Sequence, residues 1–269
     1  MRHAASMSIH VKSIGLLSAA LFACASPQPA GTGEERSAGS SQIQSSGPLA
    51  GQWHQIGQSF EGRSIEATSY GEGGPRVYVV GGIHGDEGTG LEALPGLRQR
   101  LEDPSWTSGC LVRLLRDANP DGSAERTRAN ARGVDLNRNF PAANFRERQG
   151  HGPHALSEPE SACLLADLRA FEPDLVVVFH AARQGPFVNF DGPARWAAER
   201  FVAAARQVDP RWHVEPDMGY ETPGSLGSLL GIDEGLQVLT IEFPRGASGA
   251  SAAPALEAGL GALLAQLPE

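Results

Sequence analysis

Three stretches of the chain are short, almost continuously apolar and rich in β-branched residues: Arg76 to Val80, Leu175 to Phe179 and Leu236 to Ile241. Runs of this length, bounded by Gly, Pro or charge, predict central strands covered on both faces, and hence an α/β domain. Each run ends just before a residue with chemical capacity: His84 in Gly81-Gly82-Ile83-His84-Gly85-Asp86-Glu87-Gly88, then His180, then Glu242. In open α/β sheets the ligand crevice lies outside the carboxyl ends of the strands, so these residues are expected to converge on one rim. Elsewhere the pattern changes period. Ser157-Glu158-Pro159-Glu160 has the form of a capping box, with Ser157 as cap and Glu160 reaching back, and predicts an amphipathic helix running to Ala170. Alternation around Gly133-Val134-Asp135-Leu136-Asn137 predicts an extended piece that presents Asp135 and Asn137 on one side.

The amino terminus does not fit this picture of a folded domain. Residues 1–24 carry Arg2, His3 and Lys12, then an apolar segment from Ser13 to Ala23, then Cys24, which is the layout of a secretory signal. The apolar part is too short to remain as a membrane-spanning helix. Leu21-Phe22-Ala23-Cys24 is similar to a bacterial lipobox, which predicts a lipid on Cys24 after cleavage; ordinary signal cleavage near Cys24 is the alternative. Residues 25–50 are rich in Ser, Gly, Pro and Ala and predict a flexible tether. One α/β domain is then expected over 51–269, in an exported, periplasm-facing protein of a bacterial envelope whose membrane attachment is only through that lipid.

Charge and composition narrow the chemistry. Lys12 is the sole lysine of the 269-residue chain and lies in the leader, so Schiff-base and lysine-nucleophile mechanisms are excluded for the mature protein. The formal charge of −9 becomes more negative once Arg2 and Lys12 leave, and no basic run is present, which argues against a nucleic-acid partner. Cys110 and Cys163 remain after the leader and are read as two unrelated thiols. Pro223-Gly224-Ser225-Leu226-Gly227 lacks the first glycine of a nucleophile elbow, which argues against a serine hydrolase.

What remains is a metal site. His84, Glu87 and His180 supply the two histidines and one carboxylate of a three-ligand zinc site that keeps a position for water, and Glu242 is a further carboxylate able to take that water's proton. As a bare His-x-x-Glu pair the signal is weak; joined to the strand-end His180 it is strong. Arginine binds carboxylates through a planar fork, so Asn137-Arg138 suits an enzyme that recognises a free carboxyl terminus. His54, His151, His154 and His213 sit in polar segments away from predicted strand ends and are read as surface groups.

His84-x-x-Glu87, Asn137-Arg138, His180 and Glu242, in that order, resemble the zinc carboxypeptidases over about residues 51–269. Within the family the likeness is to members acting on peptidoglycan stem peptides, carried by Arg128 to Asn144, by Gly219 to Ser228 and by Ile241-Glu242-Phe243-Pro244. The resemblance implies a three-layer α/β/α fold with a mixed, mostly parallel sheet and one zinc ion held by His84, Glu87 and His180. It further implies Glu242 as general base and acid, Arg128 as the oxyanion partner, Asn137 and Arg138 as the carboxylate clamp, and Asp135 as partner of the other ring N–H of His84. Arg126 and Arg132 lie close enough to Arg128 to be confused with it. Tyr220 precedes Glu242 as the mobile tyrosine of the digestive enzymes does, but Glu221-Thr222 intervene before Pro223, so substrate contact and packing both stay open. The implied substrate is a peptide with a free carboxyl terminus, ending in diaminopimelate linked to γ-D-glutamate; Asp233, Glu234 or Arg183 could meet the zwitterionic side chain. Two other readings share these residues, a deacylase of small N-acyl amino acids and a non-catalytic module that binds wall peptides.

Overall fold

The computed structural model of the protein describes residues 51–268. The leader at 1–24, Cys24 and the tether at 25–50 lie outside the described residues. Eight strands form one sheet: β1 (His54–Gln58), β2 (Ser64–Gly71), β3 (Arg76–Val80), β4 (Leu111–Leu115), β5 (Leu175–Ala182), β6 (Phe187–Asp191), β7 (His213–Val214) and β8 (Gln237–Pro244). Their order is β1-β2-β4-β3-β5-β8-β6-β7. The central strands β4, β3, β5 and β8 are mutually parallel, while β2 and β6 flank them antiparallel, so the sheet is mixed.

Helices α1 (Thr89–Leu101), α4 (Arg195–Ala205) and α5 (Gly249–Leu264) share one hydrophobic cluster with one face of the sheet. On the other face lie α3 (Pro159–Phe171) and the loop residues Leu136, Phe140 and Ala142; the short α2 (Pro120–Glu125) follows β4. This is the expected three-layer α/β/α arrangement. The continuous burial of Leu175 to His180 in β5 follows from it, because every side chain of a doubly covered strand meets a helix layer. Each fully buried Val or Leu there contributes roughly 2 kcal/mol. In α5 the buried Ala252, Ala255, Leu256, Leu260 and Leu263 repeat at helical spacing, and Ser248 caps the helix by accepting from the N–H of Ser251.

Several local expectations change. β5 and β8 do not stop before their chemical residues: the ladder continues through His180 and Glu242, which are paired directly across the two strands. Backbone hydrogen bonding thus persists to Ala182 and Pro244. The capping box at Ser157 does not form. Glu158 occupies the cap position of α3, and Glu160, completely buried, accepts from the N–H of Phe60 and from Asn130, because a tertiary partner outcompetes the helix's own terminus. Gly133 to Asn137 is not a strand either; Asp135 caps a 3-10 turn at Leu136–Arg138 by accepting from the N–H of Asn137. His151 is buried rather than superficial, its Nδ1 donating to the carbonyl of Arg146. Cys110 and Cys163 are free thiols packed in the hydrophobic clusters of opposite faces.

Candidate metal centre and cleft

His84 and Glu87 sit in the turn between β3 and α1, held against α2. Gly85 makes this approach feasible: a Cβ there would stand 1.9 Å from the backbone of Gly122. His180 comes from β5, and the three side chains meet. Nδ1 of His84 lies 3.1 Å from Nδ1 of His180 and 3.1 Å from Oε2 of Glu87, and His180 Nδ1 lies 3.0 Å from the same oxygen. All three residues are buried. Ligand atoms around a tetrahedral zinc stand about 3.3 Å apart, so the donor set and its spacing fit that ion.

The opposite edges of these ligands are already occupied. Asp135 Oδ1 accepts from Nε2 of His84 at 3.0 Å, which leaves the lone pair of Nδ1 facing the other ligands. Glu87 Oε2 also accepts from the backbone N–H of Ala181, and its Oε1 accepts from Arg128 Nη1 and Arg245 Nη2. Burial opposes the charge on Glu87, but His180 and His84 outweigh it and hold its pKa well below the usual range. Asp135 is likewise held down against burial, chiefly by His84. His84 is raised, because Asp135 and Glu87 prevail over its burial. The centre therefore has carboxylates held in their ionised form, and a divalent cation would take the place of the proton that the same carboxylates favour on His84.

Around this centre a cleft of about 800 Å³ is lined by Arg128, Asn137, Arg138, Glu242, Tyr220 and others. Glu242 is outside the ligand set; burial raises its pKa, with the charge of Glu87 adding and the histidines opposing. Of Arg126, Arg128 and Arg132, Arg128 is the one that lines the cleft. Its Nε and Nη1 bridge Asp135 and Glu87, which leaves Nη2 without a partner among the described residues. Arg126 instead takes the left-handed position ending α2, and Arg132 stacks over Phe60 beside Glu158. Asn137 Oδ1 accepts from the N–H of Leu226, so its amide N–H groups point toward His180 and the cleft. Tyr220 is 61% exposed at the cleft, which removes the packing role.

The structure also brings in residues that the sequence reading passed over. Asp191 ends β6, lines the cleft and has no hydrogen-bond or ion-pair partner among the described residues; burial alone raises its pKa. Gly227 makes room for it, since a Cβ there would stand 2.1 Å from Oδ2 of Asp191. The alternation Phe187-Val188-Asn189-Phe190-Asp191 was the available signal, because it places Phe187, Asn189 and Asp191 on one strand face. Of the residues considered for a zwitterionic side chain, Asp233 accepts from the N–H of Ala143 and Glu234 pairs with Arg169, both outside the cleft; Arg183 does line it.

A family model for zinc carboxypeptidase matches residues 40–195, a span that contains the three converging ligands but stops before Glu242. Murein peptide amidase A of Escherichia coli (strain K12) is 34% identical over 182 residues, covering 62% of this chain and 70% of that protein. The protein of the same name from Vibrio campbellii (strain ATCC BAA-1116) is 30% identical over 217 residues, covering 67% and 80%. Among solved structures, murein-tripeptide amidase from Escherichia coli O157 superposes with a TM-score of 0.63 at 28% identity, over 81% of this chain and 93% of that one. A metallo-carboxypeptidase from Burkholderia cenocepacia shares the fold with a TM-score of 0.64 at 21% identity, over 82% and 65%. With its ligand triad, its cleft and these relatives, the chain belongs to the zinc carboxypeptidase family and is a zinc metallopeptidase.

Proposed function

We propose that the protein hydrolyses the bond between γ-D-glutamate and a carboxyl-terminal diaminopimelate in peptidoglycan stem peptides, using a single zinc ion. The observation that carries this reading is the unpartnered carboxylate of Asp191 in the same cleft as Arg138. A terminal residue held there meets a cation for its carboxylate and an anion for an ammonium on its side chain, and the end of diaminopimelate supplies one. The similarity to murein peptide amidase A supports the same substrate class.

His84, Glu87 and His180 would hold the zinc, which would supply a Lewis acid in the cleft. Glu242 takes the water's proton and later gives it to the leaving amine. Arg128 offers its Nη2 to the oxygen that gains charge, and Asn137 with Arg138 fixes the terminal carboxylate, which makes the enzyme an exopeptidase.

The reading is checked by mass spectrometry of L-alanyl-γ-D-glutamyl-diaminopimelate incubated with zinc-loaded protein and with a chelated control. Free diaminopimelate is expected only with zinc; its absence, with zinc shown to be bound, discards this substrate. In Asp191→Asn, kcat/KM for this peptide is expected to fall about 10- to 100-fold, while peptides ending in a neutral residue lose little, since a charge-assisted contact is removed from one of them alone.

We further propose that the protein works in the cell envelope, because residues 1–24 have the layout of a secretory leader and Cys24 ends a lipobox-like segment. Fractionation of cells checks this: the protein should sediment with membranes and Cys24→Ala should not, whereas equal membrane association of both rules out the lipid.

A further inference from the structure

Sheet register divides the cleft at the level of Glu242. β6 is antiparallel to β8, with Phe187 opposite Glu242, Asn189 opposite Thr240 and Asp191 opposite Val238. Asp191 therefore lies about 13 Å back along the strands from Glu242, at roughly 3.3 Å per residue. β5 is parallel to β8, with His180 opposite Glu242 and Ala182 opposite Pro244, so Arg183 lies past the strand end, on the other side of Glu242 from Asp191. The two ends also differ in exposure, since Asp191 is partly buried and Arg183 is exposed at the lip. With the terminal residue held toward Asp191, the remainder of the substrate passes Arg183 on its way out.

The ion pairs of the lining arginines then become informative. Arg128 is engaged with Glu87 and Asp135, and Arg245 with Asp86 and Glu87. Arg138 donates to the carbonyl of Asn137 but has no carboxylate partner among the described residues, and Arg183 has none either. The terminal carboxylate of the substrate accounts for Arg138. A second unpaired guanidinium, on the acyl side of the reacting bond, calls for a second anion there.

We infer that Arg183 recognises the free α-carboxylate of a γ-linked glutamyl residue in the acyl half of the substrate. This inference rests on the substrate reading given above. A γ-linked glutamate carries its α-carboxylate beyond three carbons from the scissile carbonyl; an α-linked residue with a neutral side chain has no carboxylate in that place, whereas α-glutamate offers its side-chain carboxylate at the same remove. Arg183 thus selects by charge an acyl residue that carries a carboxylate at that reach, as γ-glutamate does, separately from the clamp on the leaving residue.

The test compares two γ-linked peptides ending in diaminopimelate, one with the glutamyl α-carboxylate and one with that group as a carboxamide, using the zinc-loaded protein and its Arg183→Gln and Arg183→Lys variants. Wild type is expected to favour the acid by about 10- to 100-fold in kcat/KM, as befits a charge-assisted contact. Arg183→Gln should bring the ratio close to one by lowering turnover of the acid alone, and Arg183→Lys should restore part of it. Equal loss on both peptides, or an unchanged ratio, overturns the role of Arg183 and leaves the substrate reading standing. If wild type with bound zinc cleaves neither peptide, the substrate reading fails and takes this inference with it.

Discussion

Glu242→Gln should keep its zinc and lose turnover, with kcat lower by about 10³-fold, in the range by which a positioned general base accelerates such reactions. The three ligand atoms converge without Glu242, so metal content measured by atomic absorption should match wild type. Gln fills the same volume in a strand paired with β5 on one side and β6 on the other, so the fold and the cleft should persist. What the amide cannot do is accept a proton. Burial pushes the carboxyl of Glu242 up from its ordinary pKa, which makes it a better proton acceptor than an exposed glutamate. Single-turnover kinetics on a peptide with a free carboxyl terminus would decide the matter, and a variant that turns over at the wild-type rate would remove Glu242 from the reaction.

The second large effect is expected at Arg128. Loss of its side chain in Arg128→Ala should lower kcat by about 10²- to 10³-fold, the typical loss when one donor to a developing oxyanion is removed. It should also weaken zinc binding, by about 10-fold or more, because Arg128 braces both Glu87 and Asp135 and contacts of this kind orient ligands. The two effects separate experimentally: competition with a chromogenic chelator reads the metal, and kcat at saturating zinc reads the oxyanion. Arg128→Lys keeps the charge but cannot span two carboxylates with a planar fork, so part of the rate should return while the affinity remains low. Unchanged kcat in zinc-saturated Arg128→Ala would assign the residue to ligand positioning alone.

How much of this was legible in the sequence depends on the range of the interaction. His84, Glu87, His180 and Glu242 follow β-branched runs whose burial is set by hydrophobicity, so their convergence could be read from order alone. The strand ends could not, because His180 and Glu242 stay in the ladder through pairing with each other, a contact between residues distant in sequence. Glu160 shows the same limit: its local pattern is that of a helix cap, but Phe60 and Asn130 claim it from elsewhere in the chain. Asp135 and Asn137 were placed together for the wrong geometric reason, a strand instead of a 3-10 turn. Asp191 was hidden because what singles it out is the lack of a partner, which only the assembled cleft reveals.

Direct pairing of His180 with Glu242 ties the chemistry to the backbone of the sheet. Adjacent strands stand about 4.8 Å apart whatever side chains they carry, so the offset between metal ligand and proton acceptor is inherited from the sheet itself. Drift in the loops cannot detune it, and no induced closure is needed to create it. Asp191 and Arg183 instead sit at the far end of a flanking strand and in a connection beyond a strand end. Substitutions there can redirect what is cut while the chemistry of cutting stays in register.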